Sequence, residues 1–332
     1  MFVTKLCKLH KSGFEILKQK IIFWIEDYLF FPNSFQKILS YLLLPFSFLY
    51  IFIIFIKRVT SSKVDFGIPI ISIGNLTVGG SGKTPITIEL AKNIKDVCII
   101  LRGYGRASKG LFVVSLYGEI KVDVNISGDE AMLLASTLKN ATVIVSEDRV
   151  LGIKKAKELG CKVIFLDDGF SKYNIKKFDI LLKPKDEPTN NFCIPSGAYR
   201  EPKSFYKKAN LVLKEGIDFK REVEIKKDGE KSKLPEKTIL LTAISKPKRL
   251  LEFLPKNIET IFFEDHHTFT KDDIDTILKK YKDFGIVTTQ KDFVKLEQFY
   301  LNNLYIMDLK IKISEKLDLK ELNTYSTFAH KT

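Results

Sequence analysis

Histidine, cysteine and tryptophan are scarce in this 332-residue chain, which has four, four and one of them. The cysteines (Cys7, Cys98, Cys161 and Cys193) are scattered and form no C-x-x-C pair. That argues against a disulfide scaffold and against a structural zinc site, and makes a reducing compartment the default. Four histidines (His10, His266, His267, His330) cannot build a His-rich centre, so any catalytic imidazole comes from a short list. No zinc finger, aromatic RNP-like motif or basic helix accompanies the net charge of +14, so no nucleic-acid partner is expected. With 45% hydrophobic and 28% charged residues, the chain is too apolar for a disordered polyelectrolyte and too charged for a polytopic membrane protein. Its length suits two ordinary domains.

Charge is also missing, locally, from one stretch. Ile38–Ile56 (ILSYLLLPFSFLYIFIIFI) holds nineteen residues without a charge. As a helix rising ~1.5 Å per residue it nearly matches a ~30 Å hydrocarbon core. One membrane helix is therefore expected, with Pro45 as a tolerated defect and Lys57-Arg58 closing it. The late start of the run and the lack of a small-residue cleavage site argue against a removable signal peptide. Upstream, Ile21–Phe31, broken by Glu26 and Asp27, reads as an interfacial helix with Trp24 and Tyr28 at headgroup level. The alternative packs both segments onto the soluble body. Basic residues flank the span on both sides, with Lys5, Lys8, Lys11, Lys18 and Lys20 ahead of it, so charge alone does not choose an orientation.

Beyond the anchor, short β-branched runs alternate with helical segments. Ile68–Ile73, Val97–Leu101, Thr142–Val145 and Lys162–Leu166 read as strands; Thr84–Ile94, Asp129–Leu138 and Asp148–Glu158 read as helices. Continuous apolar strands separated by helices imply a parallel sheet covered on both faces. Leu111–Ile126 reads as an inserted hairpin turning at Tyr117-Gly118. The polar stretch Glu222–Lys237 suggests a boundary, after which Thr238–Ile244 restarts the β pattern. The expected organisation is an anchor over 1–58, a P-loop NTPase-like α/β domain over 59–236 and a smaller C-terminal α/β domain over 237–332.

The informative residues lie in the first turn. Gly74 to Thr84 (GNLTVGGSGKT) follows a strand, ends in G-K-T and opens a helix, the context of a phosphate-binding loop. Gly79, Gly80, Ser81 and Gly82 would bring backbone N–H groups onto phosphate oxygens, Lys83 would reach the terminal phosphates, and Thr84 would ligate Mg²⁺. Thr77 stands where the strict pattern has glycine. Phe165–Gly169 (FLDDG) ends an apolar strand, where an open α/β sheet places its ligand crevice, so Asp167 or Asp168 is the second acidic element. Arg102-Gly103-Tyr104-Gly105-Arg106 offers guanidinium groups near phosphates or is simply a turn; Asp129 starts a helix and reads equally as a cap. Glu264–His267 (EDHH) offers a carboxylate–imidazole relay, and Pro195–Pro202 a rigid loop presenting Arg200 and Glu201.

In order, GNLTVGGSGKTP, RGYGR, SGDEAMLLA, EDR, LDDGF, PSGAYREP, EDHHTF and TTQKDFVKL resemble the tetraacyldisaccharide 4'-kinase family of lipid A biosynthesis, from about Ile71 to Leu296. The resemblance implies a kinase on the cytoplasmic face of a bacterial inner membrane, moving the γ-phosphate of ATP onto the 4'-hydroxyl of a tetraacylated disaccharide 1-phosphate. It implies Lys83 and Thr84 in the phosphate loop, and Asp129 as general base supported by His266. Asp167, Asp168 and Glu201 would surround Mg²⁺, while Arg102, Tyr104, Arg149 and Arg200 would line the site. The partner is then the membrane-borne lipid disaccharide, with no protein partner required. One departure is Ser171-Lys172, where the family usually has Gln-His; Lys172 adds a cation near the phosphates. The rival without the resemblance is a membrane-anchored regulatory ATPase. A GTPase is disfavoured because Thr289-Gln290-Lys291-Asp292 sets Lys and Asp adjacent, unlike [NT]-K-x-D.

Overall fold

The computed structural model describes residues 21, 24–80, 82–244, 247–265, 267–315, 317, 322 and 325. The basic cluster Lys5–Lys20, Ser81 and His266 lie outside the described residues. Two sheets carry the architecture.

The first sheet grows from the apolar runs. Its strands are β1 (Ile70–Asn75), β2 (Val97–Leu101), β3 (Phe112–Leu116), β4 (Glu119–Ile120), β5 (Thr142–Val145), β6 (Val163–Asp167), β7 (Phe178–Lys183) and β8 (Leu211–Lys214). The order is β4-β3-β5-β2-β6-β1-β7-β8, parallel except for β3, which runs antiparallel to β5, and β4, antiparallel to β3. Every residue of β1, β2, β5 and β6 is buried. Helices α3 (Lys83–Ala91), α4 (Val124–Ser127), α5 (Asp129–Thr137) and α6 (Arg149–Glu158) supply the crossovers. Clusters around Ile71/Phe165 and around Ile70/Ile164 lie on opposite faces of the central strands, as expected for a sheet buried on both sides. The expected hairpin is real but stops at Ile120, and α4 follows it.

The second sheet has the order β10-β9-β14-β13-β11-β12. It comprises β9 (Phe219–Lys227), β10 (Glu230–Lys231), β11 (Thr238–Thr242), β12 (Glu259–Phe262), β13 (Gly285–Thr289) and β14 (Leu304–Ile313), with helices α7 (Lys271–Lys280) and α8 (Gln290–Leu296). The polar stretch over 222–237 is thus largely not a linker. Its first half is β9, antiparallel to β14 from Phe219↔Ile313 to Lys226↔Ile306. An edge region with one wet face tolerates the charges that made it look like a boundary. The chain passes between the sheets at residues 215–218, earlier than expected.

The N-terminal segment departs most from expectation. The charge-free run is not one helix but two, α1 (Ser34–Leu42) and α2 (Leu44–Val59), bent by 54°. Pro45 sits in the first turn of α2, where its missing N–H costs no helix bond, so the chain restarts a helix there instead of continuing one. No single described helix is long and apolar enough to cross a membrane, although the bent pair passes by length and composition. Both helices are amphipathic in an inverted sense. The side facing the body carries Gln36, Ser40 and Ser47, all buried, while Phe35, Ile38, Leu42, Phe48, Phe52 and Phe55 are exposed. Residues 24–30 are helical as expected, but Tyr28 is buried and its hydroxyl donates to the Pro195 carbonyl (2.9 Å), so of the aromatic pair only Trp24 is exposed.

Candidate active site

The glycine-rich turn expected to bind phosphate follows β1 at its C-terminal end, in the middle of the sheet, with β6 and β7 as neighbours. Ligands of open α/β sheets bind at this end. Gly82 caps α3 with φ +83°, a left-handed conformation that favours glycine, and the Arg221 guanidinium lies against it. Lys83 Nζ donates to Asn75 Oδ1 (3.2 Å) and lies 3.7 Å from Asp168. Thr77 is buried and bridged antiparallel to Tyr199, which stiffens the loop where the strict pattern would place glycine.

β6 ends on the acidic pair. Asp167 pairs with Ile73 across the sheet and is buried; Thr84 Oγ1 donates to its Oδ2 at 3.1 Å, and its Oδ1 is buried with no hydrogen-bond partner. Burial, with the Glu130 charge, pushes the Asp167 carboxyl up to about 6 against Lys83. Asp168 behaves oppositely. Burial alone would raise its carboxyl, but the Arg200 hydrogen bonds, with Lys83 and Arg149, hold it well below the usual range. Arg200 grips it bidentately (Nη1–Oδ2 3.0 Å, Nη2–Oδ1 2.9 Å) and also donates to Asn75 Oδ1 at 2.7 Å. Asp168 takes φ +53°, a conformation Asp tolerates and functional turns favour. A threonine hydroxyl and an under-satisfied buried carboxylate oxygen are hard donors that fit Mg²⁺, which typically takes one or two carboxylates plus substrate phosphates.

Arg149, buried at the start of α6, donates through Nη2 to the Asp167 backbone carbonyl (3.2 Å). Arg102 lies 5.6 Å from the Tyr104 ring, and both line the same cleft of about 1810 Å³ as Lys83, Thr84, Asp167, Asp168 and Arg200. Lys172 also lines it; burial, then Arg149, Lys57 and Arg102, lower its amine. Glu201 does not line the cleft. It is buried, hydrogen-bonded to Tyr173 and facing Arg58, with Oε2 buried and without a hydrogen-bond partner among the described residues, so of the three acidic residues expected around Mg²⁺ only Asp167 and Asp168 line the cleft. Among described residues no group of three His, Cys, Asp or Glu gathers as a metal site.

Asp129 is presented by Gly128, whose φ of +80° turns the chain into α5; a Cβ there would meet the Tyr104 carbonyl at 3.1 Å. Asp129 is buried and sits one layer behind the cleft wall, which Glu130 and Lys291 form. Its Oδ2 lies 3.7 Å from Lys291 Nζ and 3.6 Å from Lys295 Nζ. The second sheet therefore reaches into the site. Arg249, from the 3₁₀ segment Pro247–Phe253, donates to the Gly80 carbonyl at 2.8 Å. Arg221 and Arg249 carry no signal in the sequence, and Lys291 and Lys295 appear there only within the TTQKDFVKL motif, Lys291 also in the comparison with [NT]-K-x-D, without a role.

Comparison with known proteins matches residues 39–324 to the family described as Tetraacyldisaccharide-1-P 4'-kinase. The chain belongs to that family. A curated tetraacyldisaccharide 4'-kinase from Aliarcobacter butzleri is 69% identical over 309 residues, 93% of this chain and 98% of the relative. Relatives of the same name from Campylobacter jejuni and Helicobacter pylori are each 45% identical, covering 91% of this chain and 95% and 94% of their own. The crystal structure of Aquifex aeolicus LpxK in complex with ATP aligns with a TM-score of 0.70 at 30% identity, over 88% of this chain and 99% of that one. Membership in the 4'-kinase family thus spans both sheets, including α8 and its lysines.

Proposed function

We propose that this 4'-kinase family member transfers the γ-phosphate of ATP to the 4'-hydroxyl of tetraacyldisaccharide 1-phosphate, at the cytoplasmic face of a bacterial inner membrane. The observation that carries the reading is the convergence on one cleft of the Lys83–Thr84 loop, the Asp167–Asp168 pair and, just behind the wall, Asp129. Lys83, Arg102, Arg149 and Arg200 supply positive charge where equatorial phosphoryl charge accumulates in a loose transition state. Thr84 and Asp167 would hold Mg²⁺, with Asp168 beside them, and the ion would supply charge neutralisation between phosphates. The Asp129 carboxylate is the group that accepts the proton of the sugar hydroxyl late in the transfer.

The inverted amphipathicity of α1 and α2 supports a membrane seat. A substrate with four acyl chains leaves a bilayer only at ~0.8 kcal/mol per CH₂, so the enzyme must come to the headgroup. The cleft extends to residues 26–31, next to these helices. The deciding assay follows labelled phosphate from ATP to tetraacyldisaccharide 1-phosphate in detergent micelles with Mg²⁺. Lys83→Ala and Asp129→Asn are each expected to lower kcat by roughly 10²–10³, the scale of removing one preorganised electrostatic or acid–base group. ATP binding without lipid labelling by the parent chain would overturn the kinase reading in favour of a regulatory ATPase.

A further inference from the structure

The strongest arrangement beyond the nucleotide site is the lysine pair of α8. Lys291 and Lys295, one helical turn apart, both approach the same carboxylate oxygen of Asp129. They are not equivalent. Lys291 lines the cleft and also meets Glu130 (3.3 Å) and Asp265 (3.8 Å). Lys295 is buried, does not line the cleft, and is fixed to the second sheet: it pairs with Asp292 (3.1 Å) and donates to the His267 carbonyl (3.1 Å). Asp292 is fully buried and accepts from Thr242 Oγ1 (2.6 Å), Thr289 Oγ1 (2.9 Å) and the Ala243 N–H (3.1 Å). A lysine anchored so firmly on one side and turned toward a carboxylate of the other sheet transmits the position of one sheet to the other.

We propose that Lys295 is a positioning residue for phosphoryl transfer: it orients the Asp129 carboxylate and keeps it ionised, so the base is competent only when the second sheet is docked on the first. The proposal rests on the reading of Asp129 as the base. Charge balance carries it. Among the described residues, Lys295 is the cation that the buried carboxylates Asp129 and Asp292 share, so removing it takes positive charge from both, which favours a protonated carboxyl. Among the described residues, the ionisable groups around Asp129 and its two lysines are Glu130 on its own helix, Lys291, Lys295 and Asp292 from α8, and Asp265 from the preceding loop. The readout is the displacement of the acid limb of the rate profile between variants, not an absolute value.

The test measures kcat against pH for the full chain with Mg²⁺, ATP and tetraacyldisaccharide 1-phosphate in micelles. Lys295→Met is expected to lower kcat at neutral pH about tenfold, to leave KM for ATP within roughly twofold, and to move the acid limb upward by about two pH units, with activity recovering at higher pH. Lys295→Arg is expected to return the limb to its parental position. Should Lys295→Met fail to fold because Asp292 is left buried with no ammonium beside it, Lys295→Gln keeps a hydrogen-bonding group there without the charge and carries the same expectation. An equal loss of kcat at every pH, or a limb that Lys295→Arg does not restore, overturns the proposal and leaves Lys295 a structural tie. Asp129→Asn with parental kcat overturns the base reading itself, and this proposal with it.

Discussion

Arg200 joins the two halves of the phosphate site. Its guanidinium spans Asp168, which follows β6, and Asn75, which ends β1, and Asn75 in turn accepts from Lys83. A planar fork can do this and an ammonium cannot. Arg200→Lys should keep the charge yet lose the bidentate grip, costing about 1.5–3 kcal/mol, or roughly 10- to 100-fold in kcat/KM for ATP. Steady-state kinetics at saturating lipid would show it, and a change under twofold would mean that charge alone suffices. Residues of this site differ in how visible they are in the sequence. That Lys83 and Thr84 share the cleft is legible because they belong to one contiguous glycine-rich turn, and that Asp167 joins them because it ends an apolar strand. Glu201 shares its loop with Arg200, but neighbouring side chains of an extended loop point opposite ways, and it faces Tyr173 and Arg58 instead of the cleft. Lys291 meets Glu130 across 161 positions, a separation no spacing rule registers.

At the scale of elements, strands of the first sheet are readable because burial on both faces leaves unbroken apolar runs, while β7 and β9 are not. β7 carries Asp179, which accepts from Ser72 Oγ, and β9 is charged along its length. The two N-terminal helices were misread as one because hydropathy does not register the bend at Pro45, nor the polar stripe within an apolar run. That stripe is what seats them. Ser40 Oγ donates to the Ser196 carbonyl (2.8 Å); Ser47 Oγ donates to the Cys193 carbonyl (2.8 Å) and accepts the Ser196 N–H (3.1 Å); Tyr50 donates to the Arg200 carbonyl (2.8 Å). The helices are thus bonded to the loop that ends in Arg200. Ser47→Ala removes these buried hydrogen bonds while the Ser196 N–H keeps its bond to the Cys193 carbonyl (3.0 Å), and should destabilise the fold by about 1 kcal/mol in thermal or denaturant unfolding. A loss below a few tenths would show that the seam is not part of the cooperative unit.

For the whole molecule, the question is what covers the outer side of α1 and α2. Inward stand Ser47, Tyr50 and Arg58, the last with its guanidinium 4.5 Å from the Phe205 ring centre; outward stand Phe48, Phe52 and Phe55, each 57–66% exposed. In water this arrangement exposes what burial favours and buries what hydration favours, so a lipid surface is the solvent it matches. The charge of +14 acts in the same direction, at about 1 kcal/mol for each basic residue near an anionic membrane. The triple variant F48S/F52S/F55S should therefore fold and bind ATP as the parent does, since these side chains touch little of the body. It should lose roughly 4–5 kcal/mol of membrane affinity, about 10³-fold in partitioning. Co-sedimentation with phosphatidylglycerol-containing vesicles reads this directly, and raising the salt should weaken the parent partially while leaving the apolar share in place. Equal sedimentation of parent and triple variant would assign the exposed aromatics to something other than lipid. Loss of binding together with a fall in lipid turnover, at unchanged KM for ATP, would instead show that the helices bring the catalytic cleft to a substrate that stays in the bilayer.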